Sequence, residues 1–273
     1  MRDQIFFLAF EIRLNFNFHM NPQKYFIPFI AAACLALAIA VHAQTAAPGQ
    51  TPVVTLPFNE DFESGAINTN IWDMRVHGTA TIQVEQNRVA HGKNALLVHY
   101  PASATGAYAF IAARLPDSLH DHLFGRAYVY IATMPTPHSV LLNAGSPGYP
   151  VSNFLEVGIR RHLFQPSYQQ NGAGVPRSET TGMVPGTIPV GRWFCLEWEY
   201  NDKPDHIVLT IDGKPFADQK ISLKGIGSEL VKGFYEFDIG FRAWGKAGAS
   251  DIDIYYDDIA ISDKPIGQLT PVP

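Results

Sequence analysis

The chain has 273 residues, 47% of them hydrophobic and only 16% charged, with a formal net charge of −5. That is a globular composition, and without a basic surplus it excludes nucleic acid as the partner. Its two cysteines, Cys34 and Cys195, exclude a disulfide-stapled scaffold.

In chain order the first feature is a targeting segment. Residues 27–41 read IPFIAAACLALAIAV, an apolar run preceded by Lys24 and closed by VHA, the small-residue pattern of a cleavage site. Residues 1–43 are read as a secretory signal peptide cut after Ala43, so the expected location is secreted or periplasmic, with no membrane attachment after cleavage. Met20 opens a complete signal peptide of its own, with NPQK as its charged region, and residues 1–19 are read as an upstream misassigned start. The run is short for a membrane span. Ala31, three residues before Cys34, is a poor match to the branched residue of a lipoprotein signal. Cleavage leaves Cys195 alone, between aromatic residues in RWFCLEWEY, where it reads as a small buried hydrophobe.

Residues 44–56 (QTAAPGQTPVVTL) are rich in Pro, Ala and Thr and predict a flexible leader, and residues 265–273 predict a short tail. Between them, over residues 57–264, short alternating segments are separated by Gly, Pro, Asn and Asp: ATIQVE, NALLVHY, YAFIAARL, GRAYVYIA, SVLLNAG, FLEVGIRRHLF, RWFCLEWEY, HIVLTIDG, EFDIGFRAW and DIDIYYDDIAIS. No segment carries a convincing helical period. Asp212 and Gly213 supply the positive φ of a tight hairpin. The predicted fold is therefore a single all-β sandwich, and the expected state is a monomer. The last segment poses a problem, because Asp257 alternates with Tyr255, Ile259 and Ile261, and Asp258 with Ile254, Tyr256 and Ala260. A carboxylate in either row risks burial, and a buried anion needs donors, a cation or a raised pKa.

The segments NEDFESG (59–65), VAHGKNALLV (89–98), GRAYVYI (125–131), GRWFCLEWEY (191–200), IDGK (211–214), IGFRAW (239–244) and YYDDIAIS (255–262) resemble, in order and spacing, one family. It is the cellulose-induced secreted protein family of cellulolytic fungi and its bacterial relatives, a concanavalin A-like β-jelly roll similar to alginate and glucuronan lyases. The resemblance implies a structural Ca²⁺ stapling the first strand to the last. By position its ligands are the carboxylates of Glu63 and Asp257 and backbone carbonyls in the HGKN loop, at Gly92 and Asn94. Hard divalent cations want six to eight oxygens, which carboxylates and loop carbonyls provide. Strand alternation alone does not choose Glu63 over Glu60 or Asp61.

The resemblance also implies a β-elimination site, in which Arg with Gln or Asn neutralises a uronate carboxylate and His or Tyr removes the C5 proton. The family strand carries His, Arg and Gln where this chain has Phe154, Glu156 and Arg160, and the family's Glu and Tyr on the neighbouring strand become Arg242 and Trp244. Here Glu156 and Arg242 reverse the family's charges, as two positions in contact could. Residues 153–172 read as one strand, which puts Glu156, Gly158, Arg160 and His162 on one face, with Gly158 leaving room for a sugar ring. The expected catalytic set is His162, Arg160 and Arg242. The expected substrate-binding set is Glu156, Arg160, Tyr168, Arg242 and Trp244, with the indole stacking on pyranose faces. The expected partner is a polysaccharide, acidic or of plant cell-wall type, with uronate as one candidate unit.

Two function classes follow. One is a lyase with an altered site, and the other is a lectin-like binding protein without chemistry. A third reading, a retaining glycoside hydrolase, rests on Glu197 and Glu199 of EWE, which share a strand face. His120 and His122 in LHDHLFG lie on either side of Asp121, and without a third ligand they make no metal site.

Overall fold

The computed structural model describes residues 53–145, 154–169, 179–181, 183–201, 206–220, 233–246 and 248–269. The signal peptide, residues 44–52 of the leader and residues 270–273 of the tail lie outside them.

The described residues form two antiparallel sheets packed as a jelly-roll sandwich. The eight-stranded sheet has the order β13 (Lys214–Lys220), β12 (His206–Ile211), β11 (Trp193–Asn201), β6 (His122–Ile131), β15 (Ile252–Ser262), β4 (Ala95–Tyr100) and β3 (Thr81–Glu85), and β1 (Phe58–Glu60) also pairs with β15. The seven-stranded sheet has the order β10 (Glu179–Thr181), β9 (Leu163–Gln169), β8 (Phe154–Arg160), β7 (His138–Gly145), β14 (Glu236–Trp244), β5 (Tyr108–Arg114) and β2 (Asp73–His77). Val53 and Val54, at the end of the expected leader, belong to the domain. Val53 bridges Arg114, and the Val54 amide donates to the Arg114 carbonyl at 2.9 Å.

The apolar halves of the alternating segments meet between the sheets. Burying each large side chain there contributes about 1.5–3 kcal/mol. Trp198 on β11 stacks on Phe237 of β14 with centroids 5.4 Å apart, and the Tyr256 hydroxyl of β15 donates across the gap to the Gly240 carbonyl at 2.6 Å.

β15 answers the problem of the paired aspartates. Its register against β6 shifts between Asp257 and Ala260, and Asp258 takes a positive φ of 46°. This β-bulge resets the alternation. Ile254 and Tyr256 before it, and Ile259 and Ile261 after it, all point into the core, while the carboxylates turn toward the loop at residues 86–94.

Two sequence expectations are corrected here. The segment 153–172 is not one strand: β8 ends at Arg160, Arg161 and His162 form a tight turn with φ of 52° and 65°, and β9 returns. Gly158 does not make room for a sugar ring. A Cβ there would lie 2.0 Å from the Ser139 carbonyl oxygen, because the β7 register shifts at this level and the strands approach closely.

Candidate functional site

In the seven-stranded sheet, Ala109, Ile111, Leu155, Val157, Ile239 and Phe241 face the core. Their alternates therefore form the outer face. Register sets two rows of these residues side by side. The first runs His77, Tyr108, Arg242, Val140, Gly158, Gln165 across β2, β5, β14, β7, β8 and β9. The second runs Asp73, Ala112, Asp238, Asn143, Glu156, Ser167.

The first row is aromatic and cationic. The Arg242 guanidinium lies 4.8 Å from the Trp244 ring centroid and 5.8 Å from that of Tyr108, within cation–π range of the indole and near its limit for the phenol. Each aromatic ring is braced by a histidine. His138 stacks on Trp244 with centroids 4.6 Å apart, and His77 stacks on Tyr108 at 5.3 Å. Phe110, Val140 and Phe154 form a small apolar cluster beneath, with Tyr108 and Trp244 packed against it. The rings and Arg242 are half-buried, so they present edges and faces to a ligand.

The second row is polar, and Asp238, Asn143, Glu156 and Ser167 in it are buried. Arg75 reaches across the small Ala112 to hold it at one end. Its Nη1 donates to Glu236 Oε1 at 2.6 Å and Asp238 Oδ1 at 3.0 Å, its Nη2 to Glu236 Oε2 at 2.8 Å, and its Nε to Asp73. The bidentate pair satisfies Glu236. Asp238 shares what remains, and burial, reinforced by the Glu236 charge, pushes its carboxyl well above the usual range despite Arg75. At the other end the Ser167 hydroxyl donates to Glu156 Oε1 at 2.5 Å.

Of the residues expected from the sequence, Arg242 and Trp244 meet on this face. Glu156 lies on it but one row away from Arg242, level with Asn143 and Asp238. Arg160 is exposed at the end of β8 and His162 is exposed in the turn, so neither joins the rings. Tyr168 belongs to β9, opposite Leu155. The sequence reading missed Arg75, Tyr108, His138 and Asp238. One signal was available for Asp238: two acids at i and i+2 in the apolar strand EFDIGFRAW imply a buried cation.

The carboxylates expected to hold a metal both grip the loop at residues 86–94. Glu63 Oε1 accepts the Lys93 and Asn94 amides, each at 2.8 Å, and lies against Gly92, where a Cβ would come within 2.5 Å of it. Asp257 Oδ2 accepts the Ala90 and His91 amides at 2.9 and 3.1 Å, and Oδ1 accepts the Asp258 amide at 2.8 Å. The loop amides, those of Lys93 first, hold Glu63 below the usual range. Asp257 is pushed up to about 7 by burial, with the Asp258 charge adding to the rise. Asp258 pairs with His91 Nδ1, and Asn94 Oδ1 accepts from Gln86 at 3.1 Å. Both carboxylates accept backbone amides, and among the described residues no three acidic, histidine or cysteine side chains gather as a metal-holding group.

Elsewhere, Glu197 and Glu199 share the outer face of the eight-stranded sheet, with His122 Nε2 on Glu199 Oε1 at 2.7 Å. His120 instead packs on Tyr235 with centroids 3.9 Å apart, so the two histidines of LHDHLFG have separate partners. Cys195 is buried, and burial pushes its thiol up to about 12.

Fold and site together define a two-sheet antiparallel jelly roll with a polar and aromatic outer face. Among solved structures the chain is similar to one described as "Cellulose induced protein, Cip1", at 15% identity and TM-score 0.59, covering 78% of this chain and all of that one. It is also similar to the endo-beta-1,4-glucuronan lyase of the fungus Trichoderma reesei, at 16% identity and TM-score 0.57, covering 75% of this chain and 94% of that one. A sialidase matches with TM-score 0.52 at 10% identity, covering 76% of this chain and 18% of the sialidase. At these identities the likeness is one of fold, and it agrees with the resemblance read from the sequence motifs. No protein-family model and no curated protein matches the chain.

Proposed function

We propose that this is an exported carbohydrate-binding jelly roll that takes an acidic polysaccharide on the outer face of its seven-stranded sheet. One observation carries the reading: Arg242 lies between the half-buried rings of Tyr108 and Trp244. A uronate unit has a carboxylate for a fixed guanidinium and an apolar ring face for an aromatic side chain. The fold shared with a glucuronan lyase supports the same substrate class. Affinity electrophoresis in gels containing glucuronan, alginate or pectin tests the reading. Retardation that Arg242→Ala removes supports it, and equal migration in loaded and empty gels refutes it.

The second reading, β-elimination, is favoured by His138 and Tyr108, which supply candidate proton acceptors one ring away from Arg242. Arg242 would neutralise the uronate carboxylate, so that the C5 proton becomes acidic and a neighbouring nitrogen or phenolate oxygen takes it. The leaving glycosidic oxygen departs as the double bond forms. Ultraviolet absorbance of that unsaturated product distinguishes turnover from binding.

A Ca²⁺ belongs to the proposal as a structural element. Glu63 and Asp257 would hold it with carbonyl oxygens at Gly92 and Asn94, and its charge would offset that of buried Asp257. Export rests on the reading of residues 1–43, and N-terminal sequencing of the secreted protein checks it by finding Gln44 first.

A further inference from the structure

The opposite side of the sandwich carries a pocket that this reading does not use. It has a cavity volume of about 140 Å³ and opens on the outer face of the eight-stranded sheet. Its floor is built from neighbouring strands: Phe124 on β6, Glu197 and Glu199 on β11, Val208 and Thr210 on β12. Register pairs Glu199 with both Phe124 and Val208, and Glu197 with Thr210, so these side chains stand together.

One wall comes from the tail, Pro265 and Ile266, which folds back after β15. A buried arginine fastens it: Arg126 Nη1 donates to the Gly267 carbonyl at 3.1 Å, next to the wall. The floor is braced as well. His122 packs on the Phe124 ring with centroids 4.6 Å apart while its Nε2 holds Glu199.

The chemistry of the lining restricts the ligand. Ionised carboxylates only accept hydrogen bonds, so the ligand must bring donors. Phe124, Val208, Pro265 and Ile266 need an apolar surface against them. Among the described residues no lysine or arginine lines the pocket; Arg126, opposite Glu197 on β6, is buried and held by the Gly267 carbonyl, and the two carboxylates repel an anion. A pyranose ring meets these demands with hydroxyls on its edge and C–H groups on its face, and the charge rule admits a neutral sugar and turns away a uronate. We infer that this pocket is a second sugar subsite, specific for a neutral pyranose, on the face opposite Arg242.

The sugar class rests on the shared chemistry of the lining and not on the Arg242 site, and the experiment keeps the two apart. Calorimetric titrations of the mature protein use methyl glucoside, glucosamine and glucuronate, in the wild type and in Arg242→Ala. The pocket predicts saturable binding of methyl glucoside in both backgrounds, and glucuronate at least tenfold weaker than methyl glucoside in Arg242→Ala. Removing one charge-assisted hydrogen bond with Glu197→Gln should weaken methyl glucoside about tenfold, and filling the pocket with Val208→Trp should abolish it. Absence of methyl glucoside binding in both backgrounds overturns the inference, as does glucuronate binding equally well to Arg242→Ala. Glucosamine binding alone also overturns it, because the pocket would then read an ammonium and not a sugar ring. Loss of polyuronate retardation with methyl glucoside binding intact leaves this subsite standing and removes only the first.

Discussion

Arg75→Ala tests whether the polar row is a buried electrostatic structure or a wet surface. The substitution leaves Glu236 and Asp238, with side chains 3% and 1% exposed, without the cation that holds both. Breaking a buried pair by removing one partner costs about 3–5 kcal/mol, and for a domain of this size each kcal/mol lowers the Tm by roughly 2–4 °C. The deficit should depend on pH. Without Arg75 the Asp238 carboxyl, which burial already raises, loses the cation that lowers it, so native stability is retained at low pH and lost as pH rises toward the raised value. One extra proton held by the folded variant changes stability by about 1.4 kcal/mol per pH unit. The variant should therefore recover about 2–3 kcal/mol between pH 7 and pH 5 relative to the wild type. Urea denaturation at the two pH values measures this. A deficit below about 1 kcal/mol that is the same at both pH values would refute the reasoning and return Arg75 to the class of exposed pairs.

Further outcomes follow from single contacts. Gly158→Ala should cost about 3 kcal/mol, the top of the overpacking range, because its Cβ meets a backbone carbonyl and not a movable side chain; thermal melts read it. The thiol of Cys195, buried and pushed up to about 12, should resist alkylation at pH 8 in the native protein and react fully in urea, as mass spectrometry would show. If Ca²⁺ binds at Glu63 and Asp257, chelation should lower the Tm by several degrees, since a ligand at a hundred times its Kd stabilises by about 2.7 kcal/mol. An unchanged melt after verified metal removal would rule that site out.

Much of the fold was legible because its signal is local. Alternating segments such as HIVLTI read as strands and are strands, and the Asp212–Gly213 pair forms its tight turn with both residues at positive φ. What misled the reading was irregularity. FLEVGIRRHLF looks continuous, yet Arg161 and His162 turn the chain without Gly, Asn or Asp to mark the place. The bulge at Asp257 and Asp258 was visible only as a contradiction, two apolar rows in one strand, and a bulge reconciles them. Arg242 and Trp244 could be named because IGFRAW is one of the segments that carry the family resemblance. Tyr108, His138 and Arg75 could not, because they arrive from strands far apart in sequence whose pairing no local pattern encodes. Arg75 lies 161 positions from Glu236.

The central claim is that Arg242, set between two aromatic rings, recognises a uronate. It is tested most directly by titrating glucuronan oligosaccharides into the wild type and Arg242→Ala side by side, with the absorbance of unsaturated ends followed in the same samples. Binding that weakens at least tenfold on losing Arg242, with or without product, is the expected result. Equal affinity in the two proteins would contradict it and move the polysaccharide off this face.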